Sequence, residues 1–149
     1  MKQLTRTYVT FEATGFNTTE DKEEFINPGN FGKDVAEWLI SELKGKVANI
    51  DPEIGQEDCG WYFTFTGNSG KTYDFLVGRR GDEDWLGCFE CSLGFFKSIL
   101  GLRKISKVDR EDLVVFHKIL KNSNRISNIK WHYEKDFIKG NEDAYSDTP

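Results

Sequence analysis

The chain has 149 residues, a mass of 17.2 kDa and a formal net charge of −5, a length that suits one domain able to build a core without disulfide staples. Its 14% aromatic content, from 12 Phe, 5 Tyr and 4 Trp, excludes intrinsic disorder for the body of the chain, because aromatic rings bring large buried areas. No run approaches the ~20 apolar residues of a membrane-spanning helix. The segment from Met1 to Arg6 has no apolar run behind its positive charges, and Cys59, Cys88 and Cys91 are an odd set for a secreted disulfide framework, so a cytoplasmic address is expected.

In chain order, Leu4 to Phe11 is rich in β-branched and aromatic residues and predicts a first strand. Residues 12–30 form a long polar connection ending in Asn27-Pro28-Gly29-Asn30, with Phe16, Phe25 and Ile26 available to pin it. From Gly32 to about Lys46, Val35, Trp38, Leu39 and Leu43 fall at helical spacing, with Asn30 as expected N-cap, Asp34 in the first turn and Gly45 as the stop. A short strand at Val47–Ile50 follows. Trp61–Phe65 and Lys71–Val77, separated by a Gly/Asn-rich turn, then predict a hairpin, and Trp85–Leu93 a further strand.

Residues 94–104 read equally as a short helix or a buried apolar loop. A second helix is expected from a capping box at Ser106–Asp109, with Leu113, Phe116, His117 and Leu120 on its apolar stripe and Asn122-Ser123-Asn124 ending it. Its polar face is assigned Arg110, Glu111, Asp112, Lys118 and Lys121. A last strand runs from Ile126 to Tyr133. This order does not alternate as a doubly wound sheet would. It predicts an α+β domain over residues 1–139, a mostly antiparallel sheet of five to six strands with two main helices packed on it, and a flexible polar tail at 140–149.

Charge is distributed unevenly: −8 over residues 1–96, +6 over 97–130 and −3 over the last 19. An acidic total discourages nucleic-acid binding, because every phosphate contact needs a local cation. The basic stretch around Arg110, Lys118, Lys121 and Arg125 lacks the interleaved aromatics of a single-strand binder and reads as a solvated helix face.

Chemistry-bearing candidates are few. Cys88-Phe89-Glu90-Cys91 has C-x-x-C spacing, but zinc wants four ligands and only Cys59, His117 and His132 remain to complete a set. On a strand, residues three apart point to opposite faces, and a redox pair wants a helix N-terminus. Buried structural cysteines are the simpler reading. His117 lies on an apolar helix stripe, the usual place of a satisfied core histidine, and His132 on the polar side of the last strand. A Cys59–His132 nucleophilic pair stays open. Neither a metal nor a cofactor is expected, and no enzymatic motif is present. The acidic turns Glu57-Asp58 and Asp82-Glu83-Asp84 each precede an aromatic strand. They read either as ordinary solvated turns or, with Trp61 and Trp85 as anchors, as a negative surface for a basic protein partner.

Glu57-Asp58-Cys59-Gly60-Trp61, with Val77-Gly78 and the segment Phe31-Gly32-Lys33-Asp34-Val35-Ala36-Glu37-Trp38-Leu39, resembles small uncharacterised bacterial proteins that carry an E-D-x-G-W element. In size and acidic charge the chain is similar to immunity proteins of bacterial polymorphic-toxin systems, including contact-dependent inhibition. The resemblance implies a cytoplasmic single domain that neutralises a cognate, basic toxin by binding it; the pattern of charge and aromatics assigns the contact to Glu57, Asp58, Asp82, Glu83 and Asp84, with Trp61 or Trp85 as anchor. An interaction or regulatory domain with some other partner, in one form a homodimer through a sheet edge, is the alternative, ahead of an enzyme built on Cys59, His117 or His132.

Overall fold

A computed structural model describes residues 4–91 and 108–149. The ambiguous stretch 94–104, Ser106 and Leu93 lie outside the described residues. The strands are β1 (Tyr8–Ala13), β2 (Asn49–Ile50), β3 (Gly55–Glu57), β4 (Gly60–Thr66), β5 (Thr72–Gly81), β6 (Asp84–Cys91), β7 (Ile126–His132) and β8 (Tyr145–Ser146). Helices α1 (Lys33–Leu43), α2 (Arg110–Asn122) and α3 (Glu134–Ile138) complete the described elements. The strands form one antiparallel sheet in the order β2-β4-β5-β6-β1-β7-β8. β3 shares the outer edge of β4 with β2, pairing at Trp61 and Tyr62 while β2 pairs at Phe65 and Thr66. Among the described residues no helix is long and apolar enough to cross a membrane.

The fold class is the expected α+β one, with more strands than the sequence pattern indicated. The additional ones, β3 and β8, are three and two residues long, too short to show alternation. Residues 140–149, expected as a flexible tail, contain β8, paired with Trp131 and His132, and end with the Pro149 carbonyl accepting a bond from Arg110 Nε at 3.0 Å.

Period-two alternation places Trp61, Phe63 and Phe65 of β4, Tyr73, Phe75 and Val77 of β5, and Trp85 and Phe89 of β6 on one buried face. Val35, Leu39 and Leu43 of α1 and Leu113, Phe116 and Leu120 of α2 cover that face. Phe116 is the hub, with ring centroids 4.6 Å from Phe89, 4.9 Å from Phe75 and 5.1 Å from Phe65. Such aromatic pairs add about 0.5–1.5 kcal/mol each beyond their buried area.

Helix starts differ from expectation. Gly32, not Asn30, is the N-cap of α1, because the Asn30 side chain is engaged elsewhere. Asp109, not Ser106, is the N-cap of α2. Asp112, assigned to the polar face of α2, is only 2% exposed. It precedes Phe116 by one helical turn and therefore falls on the inner stripe. There it accepts hydrogen bonds from the Tyr73 hydroxyl at 2.7 Å, the Ser69 hydroxyl and the Ser69 backbone N–H at 3.3 Å. Lys71 Nζ meets Asp109 Oδ1 at 2.8 Å. These contacts lock the β4–β5 turn onto the start of α2. The approach is close enough that a Cβ on Gly67 would lie 2.3 Å from Asp112 Cγ.

Candidate protein-binding surface

Antiparallel register decides which turns meet. Trp61 pairs with Val77 and Gly78 with Leu86, so the β3–β4 turn and the β5–β6 turn emerge at the same end of the sheet. Gly60 and Gly78 allow the first of these to sit tightly against β5: a Cβ on Gly60 would stand 2.2 Å from the Val77 carbonyl oxygen, and one on Gly78 would stand 2.1 Å from that of Cys59. Glu57, Asp58, Asp82 and Glu83 are exposed, and none has an ion-pair partner among the described residues. Asp84 differs. It is half-buried beside Arg80 at 3.6 Å, and burial, opposed by Arg80, holds its carboxyl above the usual range. Arg80 also pairs with Glu142.

The connection from Thr14 to Gly32 is laid over the same end. Gln56 clasps it: Ile26 N–H donates to Gln56 Oε1 at 2.7 Å, Asn30 Nδ2 to the same oxygen at 2.9 Å, and Gln56 Nε2 donates to the Glu24 carbonyl at 2.9 Å. Asn30 Nδ2 also reaches the Glu57 carbonyl at 3.0 Å. Phe25 packs on Phe31 and Trp61, and Phe16 on Trp38 and Trp85, as pins for this connection. Ile26 does not pin it and is 58% exposed.

Trp61 and Trp85 are corrected as surface anchors. Trp61 is 4% exposed and donates its indole N–H to the Asn30 carbonyl at 2.7 Å; Trp85 is 0% exposed beneath Phe16. Both share the core face of their strands with Phe63, Phe65 and Phe89, so they support the acidic turns from beneath and offer a partner no area. The exposed apolar residue at this end is Ile26, beside Glu57 through the Gln56 clasp. Its neighbours in the chain gave no sign of this, since a lone Ile in a polar connection reads as a pin.

The cysteine and histidine candidates do not gather. Cys59 is exposed at the β3–β4 turn, and four strand spacings, on the order of 19 Å, separate β4 from β7 and His132. His132 is not on a solvent-facing side: α3 and β8 cover it, with Phe137 at 5.2 Å and Tyr145 at 6.4 Å between ring centroids, leaving it 1% exposed. Its Nε2 lies 2.9 Å from Thr10 Oγ1, while Nδ1 has no hydrogen-bond partner among the described residues. His117 Nδ1 accepts from Trp131 Nε1 at 3.1 Å, which puts the proton of the neutral ring on Nε2. Burial lowers both histidine pKa values. Burial also pushes the Cys88 thiol up to about 12, the opposite of an activated thiolate. Cys88 and Cys91 pair with Leu76 and Tyr73, which lie on opposite faces of β5. Among the described residues no three His, Cys, Asp or Glu side chains cluster in a way that could hold a metal ion.

Compared with protein-family models, curated proteins and solved structures, this chain matches none of them.

Proposed function

We propose that the chain is a protein-binding domain of the immunity kind, which neutralises a basic toxin domain by occupying it with the acidic end of the sheet. The observation that carries this reading is the convergence of Glu57, Asp58, Asp82 and Glu83 on one end, exposed and without ion-pair partners among the described residues, beside the exposed Ile26. Unpaired carboxylates on a rigid rim steer a cationic partner during encounter, and an apolar residue among them supplies the dry contact that slows dissociation. Ile26 takes the anchor role that Trp61 and Trp85, being internal, leave open. The edge strands β2, β3 and β8 run to no more than three residues, so a homodimer through a sheet edge would have little ladder to extend.

The test is affinity capture from the source cells with the purified chain as bait at low and high salt, repeated with Glu57→Lys/Asp58→Lys and with Asp82→Lys/Glu83→Lys. A single basic partner, lost at high salt and associating at least about tenfold more slowly with either double variant, supports the reading. A partner retained equally by both variants, or an acidic one, removes it.

A further inference from the structure

The two long helices run antiparallel. Asn68 Nδ2 donates to the Lys46 carbonyl just after α1, and Ser69 meets Asp112 at the start of α2, so the β4–β5 turn touches the end of one helix and the beginning of the other. Between them lies a groove of about 560 Å³, within the ~300–1,000 Å³ usual for binding sites. Its apolar lining comes from Trp38, Val115 and Ile119, its charge from Lys46, Lys118 and Arg125 against Glu42. Val115 to Asn122 covers about 10 Å at ~1.5 Å per residue, room for two turns of helix or three extended residues.

The groove's charge runs against that of the whole chain. Three cations face one carboxylate in a protein of net charge −5. Lys118 is exposed and has no ion pair among the described residues. Arg125 lies 3.7 Å over the Phe16 ring and donates to the Thr14 and Gly15 carbonyls, so its charge meets no carboxylate there. Lys46 and Glu42 pair at 3.7 Å with both side chains about half exposed, a weak contact that a competing carboxylate exchanges readily. Phe16 also packs on Trp38 in a tilted pair, with centroids 5.7 Å apart, so Phe16 bridges Arg125 and Trp38 at one end of the groove. A concave site with an apolar lining and a cationic rim is complementary to an anionic chain carrying an apolar side chain.

We propose that the α1–α2 groove binds an acidic segment of a partner protein. It seats an aliphatic or aromatic side chain against Trp38, Val115 and Ile119, while carboxylates of the segment meet Lys46, Lys118 and Arg125. The Arg125 end of this surface adjoins the acidic end, since Ala13 N–H donates to the Glu83 carbonyl and Thr14 N–H to that of Arg125, whereas Lys46 and Lys118 lie farther along the helices.

The test is selection of a displayed library of short random peptides on the immobilised whole chain, followed by fluorescence anisotropy with a synthetic peptide from the enriched pool. The expected peptides are rich in Asp and Glu around a Leu, Phe or Trp. Their binding weakens with salt, falls about tenfold or more in Lys118→Glu and in Lys46→Glu, and is retained in Asp82→Asn/Glu83→Gln. Both groove variants alter exposed side chains, and each is expected to keep the wild-type circular dichroism spectrum. The proposal is overturned by an empty selection, by neutral or basic peptides, or by peptides indifferent to Lys118→Glu. It is equally overturned if a thymidine oligonucleotide, and no acidic peptide, binds in a Lys118-dependent way.

Discussion

Asp112→Ala tests how the β4–β5 turn is held to α2. In the native chain the carboxylate accepts from the hydroxyl of Tyr73, itself 0% exposed, and from two groups of Ser69. The Tyr73 oxygen still accepts from the Asp109 N–H at 3.1 Å after the change, but its own proton is stranded, a loss of about 1–3 kcal/mol. The half-buried Ser69 hydroxyl turns to water at smaller cost. Losing an acidic residue from the first turn of α2 adds about 0.3–1 kcal/mol. Relief of the carboxylate's desolvation offsets part of this, leaving a net destabilisation of about 2–3 kcal/mol, or roughly 5–10 °C in Tm for a domain of this size. Urea unfolding of Asp112→Ala, Tyr73→Phe and the double variant closes a thermodynamic cycle. Because deleting both partners strands neither side of the Tyr73–Asp112 bond, and the losses at the Asp109 N–H and at Ser69 are common to the single variants, the double variant should lose at least about 1 kcal/mol less than the two singles together. A loss under about 0.5 kcal/mol for Asp112→Ala, additive with Tyr73→Phe, would refute the lock.

Gly78→Ala drives a methyl to 2.1 Å from the Cys59 carbonyl oxygen, and the neighbour is backbone that cannot swing away. The expected cost is about 1–3 kcal/mol or more, read as a lower Tm with faster amide exchange in β3 and β4. The two histidines give stability a pH dependence. Burial lowers His117 and His132 in the folded state, so below the ordinary value of about 6.5 the unfolded chain binds more protons and stability falls as pH drops. The slope approaches about 1.4 kcal/mol per pH unit per histidine, and urea midpoints near pH 7 and pH 5 measure it; a slope unchanged in His132→Gln shows that His132 contributes none of it. Peptide mapping after brief alkylation of the native protein should find Cys59 labelled well ahead of Cys88, since the Cys88 thiol is half-buried and raised to about 12. Labelling of both at equal rates contradicts that assignment.

Regular elements were legible because their periodicity is local. Trp61-Tyr62-Phe63-Thr64-Phe65 announces a strand, and the same alternation already places Trp61 on the core side with Phe63 and Phe65. Treating it as a surface anchor set composition above period. Asp112 carried a similar signal, one turn before Phe116 and two before Ile119. What covers a face is not local. His132 looks solvent-facing within β7, and only the later α3 and β8 bury it. Gly55-Gln56-Glu57 has no strand pattern at all, yet supplies the clasp. The turns at Glu57-Asp58 and Asp82-Glu83 were legible as acidic, but their meeting at one end follows from the pairing of β4 with β5 and β5 with β6. The glycines of Glu57-Asp58-Cys59-Gly60-Trp61 and Val77-Gly78 acquire a reason in the structure, as the pair that lets two backbones touch.

The Gln56 clasp bears on the thermodynamics of recognition. A connection of this length would ordinarily surrender conformational freedom when a partner immobilised it, and that lost entropy would subtract from affinity. Here one amide side chain, bonded to Ile26, Asn30 and Glu24, has already ordered the connection during folding. Docking at the acidic end then resembles the meeting of two finished shapes, with a heat-capacity change set by the contact area alone and an association rate governed by charge.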